Sequence, residues 1–200
     1  MVASVPGHTL PSPTLHHVNL KTTRLPEMIE WYGTVLGMDV VHVHERGAFL
    51  TNDDASHRLA FLTTSALADD ANKLHHAGLH HLAFEYPSVD ALLATYARLR
   101  DAGLTPHLTV DHGMSTSMYY VDPDGNSVEL QVDNFGDWKR STDFMRSAPE
   151  FAADPIGTPI DPDAYLAAHE AGTSFEELHR RAYAGEFRPS GPIDLRLPQA

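Results

Sequence analysis

Two histidine doublets carry the first chemical signal in this sequence. The run LHHVNL at residues 15–20 is matched 64 residues later by LHHLAF at residues 79–84. Neutral imidazole is the commonest metal ligand among protein side chains. A repeated doublet on strand-like runs therefore points to a metal site, and the alternative is a set of structural strand histidines.

Strand geometry divides each doublet between two faces, because successive side chains of a strand point to opposite sides. His17 and His81 fall on polar faces, and their neighbours His16 and His80 fall on apolar ones. Glu129, in the run SVELQV, also falls on a polar face. Taken alone, each of these residues is more often structural than functional. If the polar faces line a common surface, two imidazoles and one carboxylate converge there, as in facial sites that hold Fe(II) and leave positions open.

The composition limits both the ligands and the partners. The 200 residues contain 14 Lys+Arg against 27 Asp+Glu, a net charge of -13, so we expect neither nucleic acid nor membrane as a partner. Cysteine is absent, so a metal must be held by His, Asp, Glu or other oxygen donors. The N-terminal residues show no basic segment followed by an apolar one, and no apolar run approaches membrane-spanning length. We therefore expect a cytoplasmic protein.

The order of elements repeats together with the doublets. Each doublet strand is followed by a helical pattern and then by three short strand-like runs, which predicts an α+β fold of two βαβββ modules. We place the modules at about 13–64 and 78–133, inside a single domain spanning residues 1–134. Residues 135–200 are predicted to form a C-terminal extension with two short helices, in DAYLAAHEAG and SFEELHRRAYAG, that serves as a lid or an interface.

Both module helices carry start and stop signals. The first, in PEMIEWYGTVLGM, has Pro26 near its start and Gly37 at its end. The second, in SVDALLATYARLRDAGL, has Ser88 as a candidate N-cap and Gly103 as its stop. Because both helices have a start signal and a terminating glycine, the sequence supports two copies of one structural unit.

At these residues the chain resembles the vicinal oxygen chelate superfamily, and within it the one-domain type I extradiol ring-cleavage dioxygenases, such as the biphenyl-2,3-diol enzymes. The motifs are LHHV, SHRLAF, LHHLAF and HGMSTSMYYVDPDGNSVEL, with further similarity in SFEELHRRAYAGEF. The resemblance spans about Pro13 to Val132 and implies two modules paired around one metal cleft. It implies His17, His81 and Glu129 as the metal ligands, the same residues that the face argument selects.

The resemblance also implies catalytic groups around the metal. His57, in SHRLAF, matches an acid/base that stabilises partly reduced dioxygen. His112 and Tyr119 match groups that contact the oxygens and the ring of a catechol, and Tyr119 is preferred to Tyr120 for its spacing to Glu129. The alternative is that both tyrosines are ordinary strand aromatics and that His57 caps a strand. The implied cofactor is Fe(II), with Mn(II) as an alternative, and the implied reaction inserts both atoms of O2 into a catechol with ring cleavage beside the diol.

A small-molecule catechol, of the 3-substituted or 2,3-dihydroxybiphenyl class, and O2 are the expected partners, and we expect a homo-oligomer. The segment from Phe135 to Gly185 is expected to close the substrate pocket or to form the subunit interface. The candidate contacts of the substrate ring, which are equally good candidates for core residues, are Met114, Met118, Phe135 and Trp138.

Two other kinds of function are compatible with the same resemblance. A glyoxalase-like isomerase or a metal-dependent resistance transferase usually needs a further carboxylate or amide ligand from the last strand of the first module. That strand, HRLAFLTT, contains no Asp, Glu, Asn or Gln. A non-enzymatic resistance protein that binds its ligand without metal is the third possibility, and for it the two histidines and the glutamate are unnecessary.

Overall fold

The computed structural model describes residues 13–198. The chain divides into two compact units, Met1–Leu67 and Ala68–Ala200. The start of the domain predicted for residues 1–134, with the N-terminal segment used to predict a cytoplasmic location, lies outside the described residues, as does the end of the predicted extension. Within residues 13–198, none of the helices combines the length and the apolar character that crossing a membrane requires.

The first unit is a four-stranded mixed sheet with one helix. The elements are β1 (Val18–Lys21), α1 (Leu25–Leu36), β2 (Asp39–His44), β3 (Gly47–Thr51) and β4 (Leu59–Leu62). The strand order is β1-β4-β3-β2, with β1 parallel to β4 and the other pairs antiparallel. The predicted βαβββ order is confirmed for this module.

The second unit repeats that topology. Its module consists of β5 (His81–Glu85), α2 (Val89–Asp101), β6 (Leu108–Asp111), β7 (Ser115–Val121) and β8 (Ser127–Asp133). The strand order β5-β8-β7-β6 matches that of the first unit, again with one parallel pair, β5 and β8. The α+β fold with two βαβββ modules is therefore confirmed. Between the modules, the expected linker contains one 3₁₀ turn, Lys73–His75.

Local sequence explains why the two helices form and where they end. On α1, Met28, Tyr32 and Val35 are buried at helical spacing, and Gly37 ends the helix in the left-handed conformation at φ 63. At the start of α2, the Ser88 side chain accepts a hydrogen bond from the backbone N–H of Ala91. Each helix thus presents one apolar face to its module.

The C-terminal extension is part of the second unit. It contains α3 (Trp138–Ser147), α4 (Pro149–Ala153), β9 (Thr158–Pro159), α5 (Pro162–Glu170) and α6 (Phe175–Tyr183). The two predicted helices correspond to α5 and α6, whereas α3, α4 and β9 were not predicted. The short strand β9 pairs with β6 and becomes the edge of the second sheet.

Candidate active site

Glu129 lies in the middle of β8 and is only 5% exposed. Its strand runs between β5 and β7, where Glu129 is aligned with Ala83 on one side and Tyr119 on the other. His81 begins β5 and shares the face of Ala83, so its ring reaches the carboxylate. The His81 Nε2 atom lies 3.0 Å from Glu129 Oε2.

The surroundings of Glu129 favour its charged form. Burial alone raises the pKa of the carboxyl group, but hydrogen bonds from His81, Ser117 and Tyr119, together with the charge of His81, outweigh burial and leave the pKa below its usual value. An ionised, nearly enclosed carboxylate facing an imidazole nitrogen is a favourable place for a cation. Two ligands bound at about 2.1 Å and at right angles to one ion are about 3 Å apart, so this pair fits a metal.

A chain of polar contacts connects Glu129 to the C-terminal extension. The Tyr119 hydroxyl donates to Glu129 Oε1 at 3.0 Å and lies 2.9 Å from His112 Nε2. The other ring nitrogen of His112, Nδ1, donates to the carbonyl oxygen of Ile156 at 2.7 Å. Burial, followed by the negative charge of Glu129, raises the pKa of Tyr119, so its hydroxyl stays protonated near neutral pH. The neighbouring Tyr120 is aligned with Val128 on the opposite face.

In the first unit, the parallel pairing of β1 with β4 brings together the histidines that precede these strands. Val18 is aligned with Leu59, so His17 and His57 are neighbours, with ring centroids 4.4 Å apart. The ring of His16 lies 5.4 Å from that of His57. One nitrogen from each of these three rings lies within 4.8 Å of the others, close enough to hold a metal ion.

The environment of His57 favours its neutral form. Burial lowers the pKa of the imidazole from 6.5, and positive charge on His17 and His16 lowers it further. A neutral imidazole at pH 7 has one nitrogen free to accept a proton. His57 therefore has the protonation state that a general base requires.

The first histidine of each doublet does not follow the predicted pattern. His16 and His80 were expected on apolar faces, and both are exposed. The strands begin only at Val18 and His81, so strand alternation does not apply to the residues before them. Instead, each of these histidines contacts the next one in the chain, and the ring planes stand at 84° in the first doublet and 82° in the second.

One of the candidate ring contacts, Met118, is not on the Glu129 side of the second sheet. Met118 is aligned with Leu130, whose side chain points away from the Glu129 face, and it is fully buried. Met118 is thus a core residue. Trp138 is 71% exposed, and its Nε1 atom donates to the carboxylate of Glu85.

The predicted site residues form two groups. The second unit brings together His81, Glu129, Tyr119 and His112, and the first unit brings together His17 and His57. Strand β4, with the sequence LAFL, contributes no carboxylate or amide. The extra ligand typical of glyoxalase-like isomerases and resistance transferases is therefore missing from this strand.

Comparison with known proteins identifies relatives that match almost the whole chain. Residues 14–130 match the family model described as the glyoxalase/bleomycin resistance protein/dioxygenase superfamily. Biphenyl-2,3-diol 1,2-dioxygenase 3 of Rhodococcus globerulus is 42% identical over 173 residues, covering 86% of this chain and 90% of that protein. Biphenyl-2,3-diol 1,2-dioxygenase 2 of the same organism is 38% identical over 181 residues, covering 90% of this chain and 94% of that protein.

A solved structure supports the fold alone. Lactoylglutathione lyase from Agrobacterium tumefaciens matches 62% of this chain and 96% of its own, with a TM-score of 0.50 and 21% sequence identity. At that identity the similarity concerns the arrangement of helices and strands, and activity has to be argued from the site residues.

Proposed function

The chain belongs to the glyoxalase/bleomycin resistance protein/dioxygenase superfamily, and we propose that it is an extradiol dioxygenase, which inserts both atoms of O2 into a catechol and cleaves the ring beside the diol. The observation that carries this proposal is the 42% identity to a biphenyl-2,3-diol 1,2-dioxygenase across 90% of that protein's length. The proposed substrates are accordingly 3-substituted catechols of the 2,3-dihydroxybiphenyl class.

The proposed metal ligands are His17, His81 and Glu129, and the proposed metal is Fe(II), with Mn(II) as the alternative. Support comes from the 3.0 Å separation of His81 Nε2 and Glu129 Oε2, which suits two ligands of one ion. The equivalent position of His17 at the start of the first module supports the third ligand. Fe(II) held by these two imidazoles and this carboxylate would supply open coordination positions for the activation of a diol and O2.

Tyr119 and His112 are proposed to orient the substrate and to hold a proton beside it. The contact with Ile156 fixes the His112 ring with Nδ1 protonated. The single hydroxyl proton of Tyr119 can then be donated to either of two neighbours, Glu129 Oε1 or His112 Nε2. Turning this proton toward His112 leaves the phenol oxygen free to accept a hydrogen bond from a diol hydroxyl.

His57 is proposed as the acid/base that takes the substrate proton and returns it during ring opening. Replacing His57 with Gln is expected to lower the turnover rate by roughly 10²- to 10⁴-fold, because a general base usually contributes that much. Metal content should stay at the wild-type level, since His57 is not among the proposed ligands. Steady-state oxygen uptake and metal analysis of the purified variant measure the two quantities.

The pH profile gives a second readout for His57. Because its pKa lies below 6.5, the imidazole is neutral at pH 7 and becomes protonated only in more acidic buffer, so the wild-type rate should fall at acidic pH. His57→Gln should lack this acidic limb. The control is His42→Gln, at an exposed histidine of β2, which should keep the wild-type profile. A His57→Gln variant with full activity would exclude the proposed role.

The C-terminal segment from Phe135 to Gly185 is proposed to close the substrate pocket. Its support is that this segment supplies the Ile156 carbonyl that holds His112, and that β9 extends the second sheet beside β6. The segment is thus connected to a residue proposed to contact the substrate.

We also propose that the protein is a homo-oligomer. Edge strand β2 exposes the side chains of Val40, Val41 and Val43 by 47%, 53% and 54%, and these are candidate interface residues. Light scattering tests this proposal, and a particle mass equal to one 22.0 kDa chain would exclude it.

The experiment that tests the function is oxygen uptake after loading with Fe(II) in the absence of air. Oxygenated buffer is added with a panel of unsubstituted, 3-alkyl and 3-aryl catechols while visible absorbance is recorded. The proposal predicts a yellow ring-fission product, one O2 consumed per catechol, and the fastest turnover with a 3-substituted member. Stoichiometric metal binding without cleavage of any catechol would support the isomerase or transferase function instead.

A further inference from the structure

The two rings of each histidine doublet meet through the same pair of atoms. His16 Nδ1 lies 3.1 Å from His17 Nδ1, and His80 Nδ1 lies 2.8 Å from His81 Nδ1. Two ring nitrogens at this distance attract each other only if one carries a proton and the other a lone pair. The doublets therefore contain a hydrogen bond to each proposed metal-binding histidine.

In the second doublet, a backbone carbonyl determines the direction of this hydrogen bond. The carbonyl oxygen of Leu195 lies 3.0 Å from His80 Nε2, and because a carbonyl only accepts, Nε2 must carry a proton. A neutral imidazole has one N–H group, so His80 Nδ1 is the acceptor and His81 Nδ1 is the donor. The other ring nitrogen of His81, Nε2, faces Glu129 Oε2 at 3.0 Å, and a metal bound there would take the place of the proton on Nε2.

The Leu195 carbonyl belongs to a short segment, residues 194–196, which we call the C-terminal strap. Its three residues each bind the second module: the Asp194 carbonyl accepts from His107 Nδ1, the Leu195 carbonyl accepts from His80, and Arg196 donates to the carbonyl of Gly125, each at 3.0 Å. Three successive anchoring contacts hold the Leu195 carbonyl in place beside His80.

The backbone of the strap is also held in an uncommon conformation. In the part of the chain that the structure describes, Arg196 is the one non-glycine residue with a positive φ, at 51. The Asp194 side chain stabilises this turn by accepting a hydrogen bond from the Arg196 backbone N–H at 2.8 Å. The energetically unfavourable backbone conformation of Arg196 therefore lies directly after the Leu195 carbonyl that contacts His80.

We propose that His80, anchored by the C-terminal strap, is a positioning residue that keeps His81 protonated on Nδ1 and so presents Nε2 to the metal. The proposal rests on the proposed metal ligation by His81. It adds to the metal site the contact between His80 and Leu195, which are 115 positions apart along the chain. Partners that orient a metal-binding histidine typically contribute tenfold to a hundredfold to metal affinity.

The test compares two substitutions at His80 by titrating the metal-free protein with Co(II). His80→Phe keeps a ring but removes the acceptor, so we expect Co(II) to bind roughly tenfold to a hundredfold more weakly. His80→Asn offers an amide oxygen at the position of Nδ1, and it should restore most of the affinity. The matched control is His75→Phe, which places the same exposed ring in the Lys73–His75 turn and should bind Co(II) like the wild type.

A spectroscopic measurement reports the hydrogen bond itself. In Zn(II)-loaded protein labelled with ¹⁵N-histidine, the His81 Nδ1 proton should be observed, with a coupling through the hydrogen bond to His80 Nδ1. The coupling should be absent in His80→Phe. A wild-type spectrum without it, or unchanged Co(II) affinity in His80→Phe, would overturn the proposal.

The proposed metal ligands and the proposed positioning role of His80 can be tested separately. If Glu129→Gln and His80→Phe both bind Co(II) like the wild type, the proposed ligand set is wrong, and the positioning proposal fails with it. If Glu129→Gln loses Co(II) whereas His80→Phe keeps it, the ligand set stands and only the positioning role is excluded.

Discussion

Replacing Glu129 with Gln is expected to abolish stoichiometric metal binding and catechol cleavage together. The substitution keeps the size of the side chain and an oxygen that can accept from Tyr119, but it removes the negative charge facing His81 Nε2. We expect metal affinity to fall at least a hundredfold, because losing even an outer partner of a ligand costs roughly tenfold to a hundredfold. Metal content after desalting and oxygen uptake with a 3-substituted catechol measure the effect.

The matched control for this substitution is Glu85→Gln, on the neighbouring strand β5. Glu85 is exposed and accepts a hydrogen bond from Trp138, so its neutral analogue should keep both metal and turnover. Circular dichroism should be the same for both variants. Stoichiometric metal in the Glu129→Gln protein would mean that the carboxylate ligand has been assigned to the wrong residue.

The second large effect is expected on stability, from replacing Asp111 with Ala. Asp111 is fully buried, and its Oδ1 accepts from the backbone N–H of Gly113 and from Asn134 Nδ2, at 2.8 and 3.1 Å. Its Oδ2 lies 2.7 Å from His179 Nδ1 on α6. Removing the carboxylate leaves the Gly113 N–H and His179 Nδ1 without this acceptor inside the second unit, whereas Asn134 Nδ2 keeps the Gly113 carbonyl oxygen at 3.1 Å. We expect the free energy of unfolding to fall by about 3 kcal/mol.

Thermal unfolding measures this loss, and about 3 kcal/mol corresponds to a decrease of roughly 6–12 °C in a chain of this length. The control is Asp143→Ala, which removes an exposed carboxylate paired with Lys139 on α3 and should shift the midpoint by roughly 2 °C or less. Asp111→Asn keeps one acceptor oxygen and should fall between the wild type and Asp111→Ala. A midpoint for Asp111→Ala equal to that of Asp143→Ala would show that the buried contacts contribute nothing measurable.

Much of the fold could be predicted because local sequence and tertiary structure agree. The apolar spacing on α1, the Ser88 cap and the Gly37 stop are each determined within one or two turns of helix. In contrast, α3 has a single buried residue, Ser141, so it lacks the apolar stripe by which a helix is recognised in a sequence. The two residues of β9 show no pattern at all, and that strand exists only because it pairs with β6.

The positions of site residues that lie within strands could be predicted from the sequence. The contacts of residues outside the strands could not. Alternation along β8 correctly placed Glu129 opposite the helix-facing side chains, and parallel pairing with β5 puts His81 on the same face. Alternation failed for His80, which precedes its strand. The contact of His80 with Leu195 joins positions 115 apart, and no local pattern could have indicated it.

The most direct test of the proposed metal site is X-ray absorption at the iron edge of the Fe(II)-loaded wild-type protein. Scattering from imidazole rings counts the histidine ligands, so it separates the proposed set from the three-imidazole group in the first unit. We predict two imidazoles, from His17 and His81, with the carboxylate of Glu129 among the oxygen ligands. Three imidazoles would contradict the account and would place the metal at His16, His17 and His57.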